Sequence, residues 1–73
     1  MHPLALRILE QAVAAPGDRF SPREMAERLG APLGNVAYHV RRLRSQGLLK
    51  ASGMEPRRGA VEHYHKITAK AQH

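Results

Sequence analysis

Few residue types in this chain could do chemistry. None of its 73 residues is a cysteine, which excludes a thiolate nucleophile, a disulfide framework and a thiolate metal site. Histidine is the next candidate, with five copies. His63 and His65 are two apart in a segment with β character and are expected to share one face of a strand. His2 and His73 lie near the ends. Without a third close ligand these residues do not define a zinc site. His39 falls at the edge of an apolar helical seam, where an imidazole packs and titrates near neutral pH. No serine, histidine and acid combination suggests covalent catalysis, and so short a chain has no room for a deep pocket. The expectation is therefore no enzyme, no cofactor, no metal and no small-molecule ligand.

What remains is a set of donors suited to a polyanion, and its distribution is uneven. The net charge is +6 and the isoelectric point is near 10.9. In residues 1–30, Arg7, Arg19, Arg23 and Arg28 are balanced by Glu10, Asp18, Glu24 and Glu27. In residues 31–73, Arg41, Arg42, Arg44, Lys50, Arg57, Arg58, Lys66 and Lys70 face only Glu55 and Glu62. A basic stripe of this kind is the electrostatic footprint of a nucleic-acid binder or of a protein on an anionic surface.

The elements that must position these donors can be read from start and stop signals. A first helix is expected over about 3–15, with Pro3 in its first turn. At ~100° per residue, Leu4, Ala5, Leu6, Ile8, Leu9, Ala12 and Val13 spread over ~200° of its surface. One small core needs only ~100° or slightly more, so a second copy is expected to cover the rest. Either Leu4 with Ile8 or Leu6 with Val13 should then form the contact. Pro16-Gly17-Asp18 is a turn signal. A second helix over about 21–29 opens with a capping box from Ser21 to Glu24, Pro22 at the first position, and a Phe20–Met25 staple. A third is expected over about 32–46, with Val36, Val40 and Leu43 on its seam and Gly47 as its stop.

After Gly47, a short strand through Leu48-Leu49-Lys50, a loop over Ser52–Gly59 and an alternating strand over Ala60–Ile67 make a hairpin spanning about 48–67. Thr68 to His73 reads as frayed or a helical stub. The fold class is α+β and mainly helical: a single winged helix-turn-helix domain over 1–73, with three helices and a two-stranded hairpin wing. In such a domain the second helix of the pair enters the major groove of double-stranded DNA. The outer side of the third helix carries Gly34, Asn35, Tyr38, Arg41, Arg42 and Ser45. Arginine suits guanine edges or phosphates, and asparagine suits adenine. Gly34 would let the backbone approach the duplex. Arg57 and Arg58, in a loop bounded by Pro56 and Gly59, would reach phosphates or the minor groove without being held rigidly. Ser21 and Arg23 would place the start of the second helix on the backbone, since helix N-termini favour anions.

The runs Ser21–Gly30 (SPREMAERLG) and Asn35–Leu49 (NVAYHVRRLRSQGLL) resemble winged-helix proteins of the ArsR type. His2–Leu9 (HPLALRIL) is similar to that family's opening helix, and Arg57-Arg58-Gly59 with Tyr64 to its wing. The resemblance covers about residues 2 to 67 and implies a dimeric transcriptional repressor. Three features depart from the family pattern: Pro32 at the start of the recognition helix, the lack of cysteine pairs that sense metals, and no long C-terminal helix after Ile67. The expected function is sequence-specific duplex DNA binding by a homodimeric regulator. Its expected location is cytoplasmic and nucleoid-associated, because no apolar run approaches the ~18 residues of a membrane span and no signal peptide is visible. Two alternatives stand beside it: a winged helix used as a protein-interaction module through the first helix, and a non-specific architectural or phage accessory DNA binder.

Overall fold

A computed structural model of the chain describes residues 1–72. Three helices are followed by one antiparallel hairpin: α1 Pro3–Ala14, α2 Pro22–Leu29, α3 Leu33–Ser45, β1 Leu49–Arg57 and β2 Ala60–Ile67, with a short 3-10 turn at Lys70–Gln72. His73 lies outside the described residues. No helix among the described residues is long and apolar enough to cross a membrane.

The first two helices start at side-chain caps. The His2 ring accepts the Leu4 N–H at 3.0 Å and caps α1. At α2 the capping box is complete. Ser21 Oγ accepts from the Glu24 N–H and Glu24 Oε1 accepts from the Ser21 N–H, each at 3.1 Å. Gly30 ends α2 in the left-handed conformation, with φ of 63°, which costs a glycine nothing. Pro32 is the residue before α3 rather than its first turn. Its fixed φ and extended ψ set the chain's entry, although it offers the helix no side-chain hydrogen bond.

One core joins the elements. Ala5, Ile8 and Ala12 of α1, Phe20, Met25 and Ala26 around α2, Val36, Val40 and Leu43 of α3, and Leu49 and Ile67 of the hairpin form a single buried cluster. Both members of the Phe20–Met25 staple belong to it. Fully burying a side chain such as Ile8 is worth ~1.5–3 kcal/mol. Ile8 is therefore spent on the core, and Leu4 is packed against it. This removes the Leu4–Ile8 pair as a subunit contact. Leu6 and Val13, 50% and 45% exposed, are the residues of the broad α1 arc left outside.

The hairpin differs from expectation in length. The segment Ser52–Arg57 is strand rather than loop, so β1 runs nine residues. The pairing passes from Ala51↔His65 to Met54↔His63, leaving a bulge at Ser52-Gly53. Gly53 supplies the positive φ of 91° that this needs, and a bulge strengthens the local twist. Pro56 lies in the ladder opposite Val61, which is tolerated on an edge strand. The turn is only Arg58-Gly59, both at positive φ (51° and 80°), as in the primed two-residue hairpin turns. Phe20 adds a third strand-like pairing on the other side of β2. Its N–H donates to His65 O at 2.9 Å and its carbonyl accepts from the His65 N–H at 2.8 Å.

Candidate nucleic-acid interface

The third helix carries no acidic residue. Val36, Val40 and Leu43 are buried, while Gly34, Asn35, Tyr38, Arg41, Arg42 and Ser45 are all exposed. Sequence periodicity therefore places both sides of α3 correctly. Tyr38 is 49% exposed. The Arg42 guanidinium stands one turn on, with Nη1 at 3.5 Å from the phenol oxygen and its carbon 5.8 Å from the ring centroid. The two side chains thus form one donor surface. Ser45 Oγ donates to the Arg42 carbonyl at 2.8 Å, so its hydroxyl proton serves the helix and only its lone pairs face outward. A Cβ on Gly34 would meet nothing within 4 Å; packing within the chain does not require glycine there.

His39 is half-buried at the edge of the seam. Its ring centroid lies 4.4 Å from that of His2 and 5.1 Å from that of Tyr38. Desolvation, then the nearby His2 and Arg42, hold its pKa below the usual histidine value. His63 and His65 do not act together. His63 is exposed and His65 is buried against the core, because the paired Phe20 covers the inner end of β2. Among the described residues no three His, Asp or Glu side chains converge on a common point.

Ser21 does not belong to the exposed surface. It is fully buried, and its hydroxyl is engaged by the Glu24 N–H. The Glu24 carboxylate already occupies the start of α2 as an anion, so the predicted backbone contact through Ser21 is withdrawn. Arg23, the next helical residue but one, is exposed, with Nε 3.6 Å from a Glu62 carboxylate oxygen. It shares a groove of about 310 Å³ with Arg57, Arg58, Glu62 and Tyr64, between α2 and the hairpin.

The two wing arginines have different settings. Arg58 is at the turn, whereas Arg57 ends β1 and its Nε donates to the Tyr64 hydroxyl at 3.3 Å. This hydrogen bond, with the nearby Glu55 and Glu24, raises Arg57 above the usual guanidinium value. Tyr64 and its neighbour His65 are both buried although consecutive on a strand. Phe20 and the core cover His65, and Arg19 covers Tyr64, with its guanidinium carbon 4.2 Å from the ring centroid. Arg19 also bonds Ser52 O at 3.2 Å and Glu55 Oε2 at 3.0 Å. Nothing in the sequence around Arg19 distinguishes it from any arginine in a turn, and Tyr64 reads only as a strand former.

The fold, three helices followed by an antiparallel hairpin, recurs in solved proteins. A possible transcriptional regulator from Methanosarcina mazei Go1 matches 99% of this chain over 60% of its own length, at 18% identity and a TM-score of 0.86. A transcriptional regulator homologue from Pyrococcus horikoshii OT3 matches 97% of the chain over 67% of its own, at 20% identity and a TM-score of 0.78. The reduced form of MarR from E. coli matches 97% over 49% of its own, at 20% identity and a TM-score of 0.77. The chain thus spans 60% of the first of these proteins and about half of the last. Among curated proteins none matches it. At these identities the likeness establishes the winged helix-turn-helix fold. In sequence, residues 1–50, which hold all three helices and their connecting turns, match the helix-turn-helix domain family. With more than half of its length matched and the winged form of the fold around it, this chain belongs to the helix-turn-helix domain family.

Proposed function

We propose that this protein binds double-stranded DNA in a sequence-dependent way and acts as a transcriptional regulator of the repressor kind, related to the ArsR-type winged-helix proteins. The carrying observation is α3: thirteen residues without an acid, with Tyr38, Arg41 and Arg42 on the side opposite its buried seam. A helix of this width fits the major groove. Asn35, Tyr38 and Arg42 contact base edges, Arg41 and Arg23 grip phosphates, and Gly34 admits a close approach. Arg57 and Arg58 extend the contact to the backbone or minor groove beyond the helix. A second copy docks through the exposed Leu6 and Val13 of α1, and two-fold pairing is the commonest assembly.

The test is a fluorescence anisotropy titration with a duplex selected by the protein from random DNA, and with a scrambled duplex of equal length. The selected site should bind at least about a thousandfold more tightly. Its log affinity should fall linearly with log salt, by ~0.9 per phosphate contacted. Equal affinity for both duplexes would favour an architectural binder. Affinity that does not change with salt would refute the electrostatic basis of the proposal.

A further inference from the structure

Arg57 and Arg58 are adjacent in sequence but held differently. Among the described residues no ion pair or hydrogen bond engages the Arg58 side chain. Arg57 donates its Nε–H to the Tyr64 hydroxyl, and that hydroxyl belongs to a side chain only 4% exposed. Tyr64 is itself fixed by Arg19, which lies over its ring and is tied to Ser52 and Glu55 across the hairpin. Gly53 leaves room for this clamp, because a Cβ there would stand 3.0 Å from Arg19 Nη1. A guanidinium is planar, with one Nε–H and two terminal amino groups. With Nε–H bonded to the hydroxyl of a buried tyrosine, the orientation of the plane is restricted, and neither terminal amino group has a hydrogen-bond or ion-pair partner among the described residues. Directional, two-point recognition by arginine needs that fixed plane.

We propose that Tyr64 is a positioning residue that orients Arg57 for a directional contact with the nucleic acid, so that Arg57 contributes to sequence discrimination while Arg58 supplies sequence-independent attraction. The assignment rests on the duplex binding proposed above. It replaces the sequence-based picture of two equivalent flexible arginines.

Tyr64→Phe keeps the ring and its stack with Arg19 and removes only the acceptor. It should weaken binding to the selected site by roughly five- to tenfold, toward the lower end for one good base contact, and binding to a scrambled duplex by less than about twofold. Arg57→Ala should lose at least as much discrimination, and Tyr64→Phe should cost nothing more in its presence, the signature of coupled residues in a double-mutant cycle. Arg58→Ala should weaken both duplexes equally and flatten the salt slope by ~0.9. In the free protein, NMR should show the Arg57 Nε–H exchanging with solvent more slowly than that of Arg58, and Tyr64→Phe should abolish the difference. Additive losses in the double variant would overturn the assignment. So would equally fast Nε–H exchange at both arginines, a result obtained without DNA and independent of whether the duplex function holds. A slow Arg57 Nε–H in a chain that binds neither duplex would instead refute the duplex function, and the discriminating role with it.

Discussion

Acid should destabilise this protein through one imidazole. His65 is 4% exposed, its backbone is paired with Phe20, and its Nδ1 is buried with no hydrogen-bond partner. Desolvation, then the charges of Arg44 and His63, push its pKa down from 6.5 to about 4. Because the folded value lies below the unfolded one, the unfolded chain takes up the proton first as pH falls. The stability linked to this group is complete above about pH 6.5, declines below it, and is fully lost near pH 4, where the folded state also protonates. At ~1.36 kcal/mol per pH unit the gap is worth about 3 kcal/mol. Solvent screening at the edge of so small a core reduces this to about 2 kcal/mol. Against a total stability of ~5 kcal/mol for a small domain, that is a large fraction. Urea unfolding followed by circular dichroism at a series of pH values from about 7.5 to 4.5 measures it directly. The comparison is between the wild type and His65→Leu, which fills the site with a group that cannot titrate. The wild type should lose roughly 1–2 kcal/mol between about pH 7 and 5, and the variant much less. His39→Gln serves as the control for the other depressed histidine. A wild-type decline that survives undiminished in His65→Leu would refute the reasoning.

Other expectations follow from the same geometry. Arg58 occupies a left-handed position that disfavours any side chain but suits asparagine, so Arg58→Asn should stabilise the fold by ~0.5–1 kcal/mol in thermal melts while weakening DNA binding. Gly34→Ala should stabilise α3 by at most about 1 kcal/mol. If the backbone lies against a duplex, the same change should lower affinity in the anisotropy assay; unchanged affinity would remove Gly34 from the interface. Tyr38→Ala and Arg42→Ala should each cost ~1–3 kcal/mol on the selected site and much less on scrambled DNA, with melting little altered because both residues are exposed. Leu6→Glu with Val13→Glu should yield a monomer by sedimentation with the fold intact; a wild type already monomeric at high micromolar concentration would refute pairing through α1.

The helices were legible because their signals are local. A cap, a proline at the first position and a terminal glycine each act within one turn, and the seam of Val36, Val40 and Leu43 repeats at the helical period. The hairpin was only half legible. Gly53 and Pro56 are loop formers by composition, yet one serves a bulge and the other an edge position, and both roles depend on the partner strand. The Phe20–His65 pairing joins residues 45 apart in sequence and leaves no periodic trace. Ser21 illustrates a conflict between two sound principles: a helix start attracts anions, but here the capping box fills that start with its own carboxylate. The same limit hid Arg19, whose role is set by Tyr64, Ser52 and Glu55 across the fold.

These long-range pairs also change what the net charge means. By sequence, the second part of the chain carries eight cations against Glu55 and Glu62. In the fold neither acid forms an ion pair with any of those cations. Glu55 pairs with Arg19 at 3.0 Å and Glu62 with Arg23 at 3.6 Å, both arginines from the first part. Arg41, Arg42, Arg44, Lys50, Arg57, Arg58, Lys66 and Lys70 therefore have no salt-bridge partner among the described residues. The acids of the hairpin do not pair with its own arginines: Glu55 ties the hairpin to the segment before α2, and Glu62 ties it to α2 itself. These ion pairs link the wing to the first part of the chain and leave the cations of α3 and the turn without a salt-bridge partner among the described residues. Long-range attraction to a polyanion grows with such unpaired charge. Weakening this link should consequently change more than stability. Glu55→Gln removes one of the two ties on Arg19, leaving its bond to Ser52 O, and raises the net positive charge, yet it should reduce discrimination between duplexes in the anisotropy assay, because the arginine that covers Tyr64 is held less firmly.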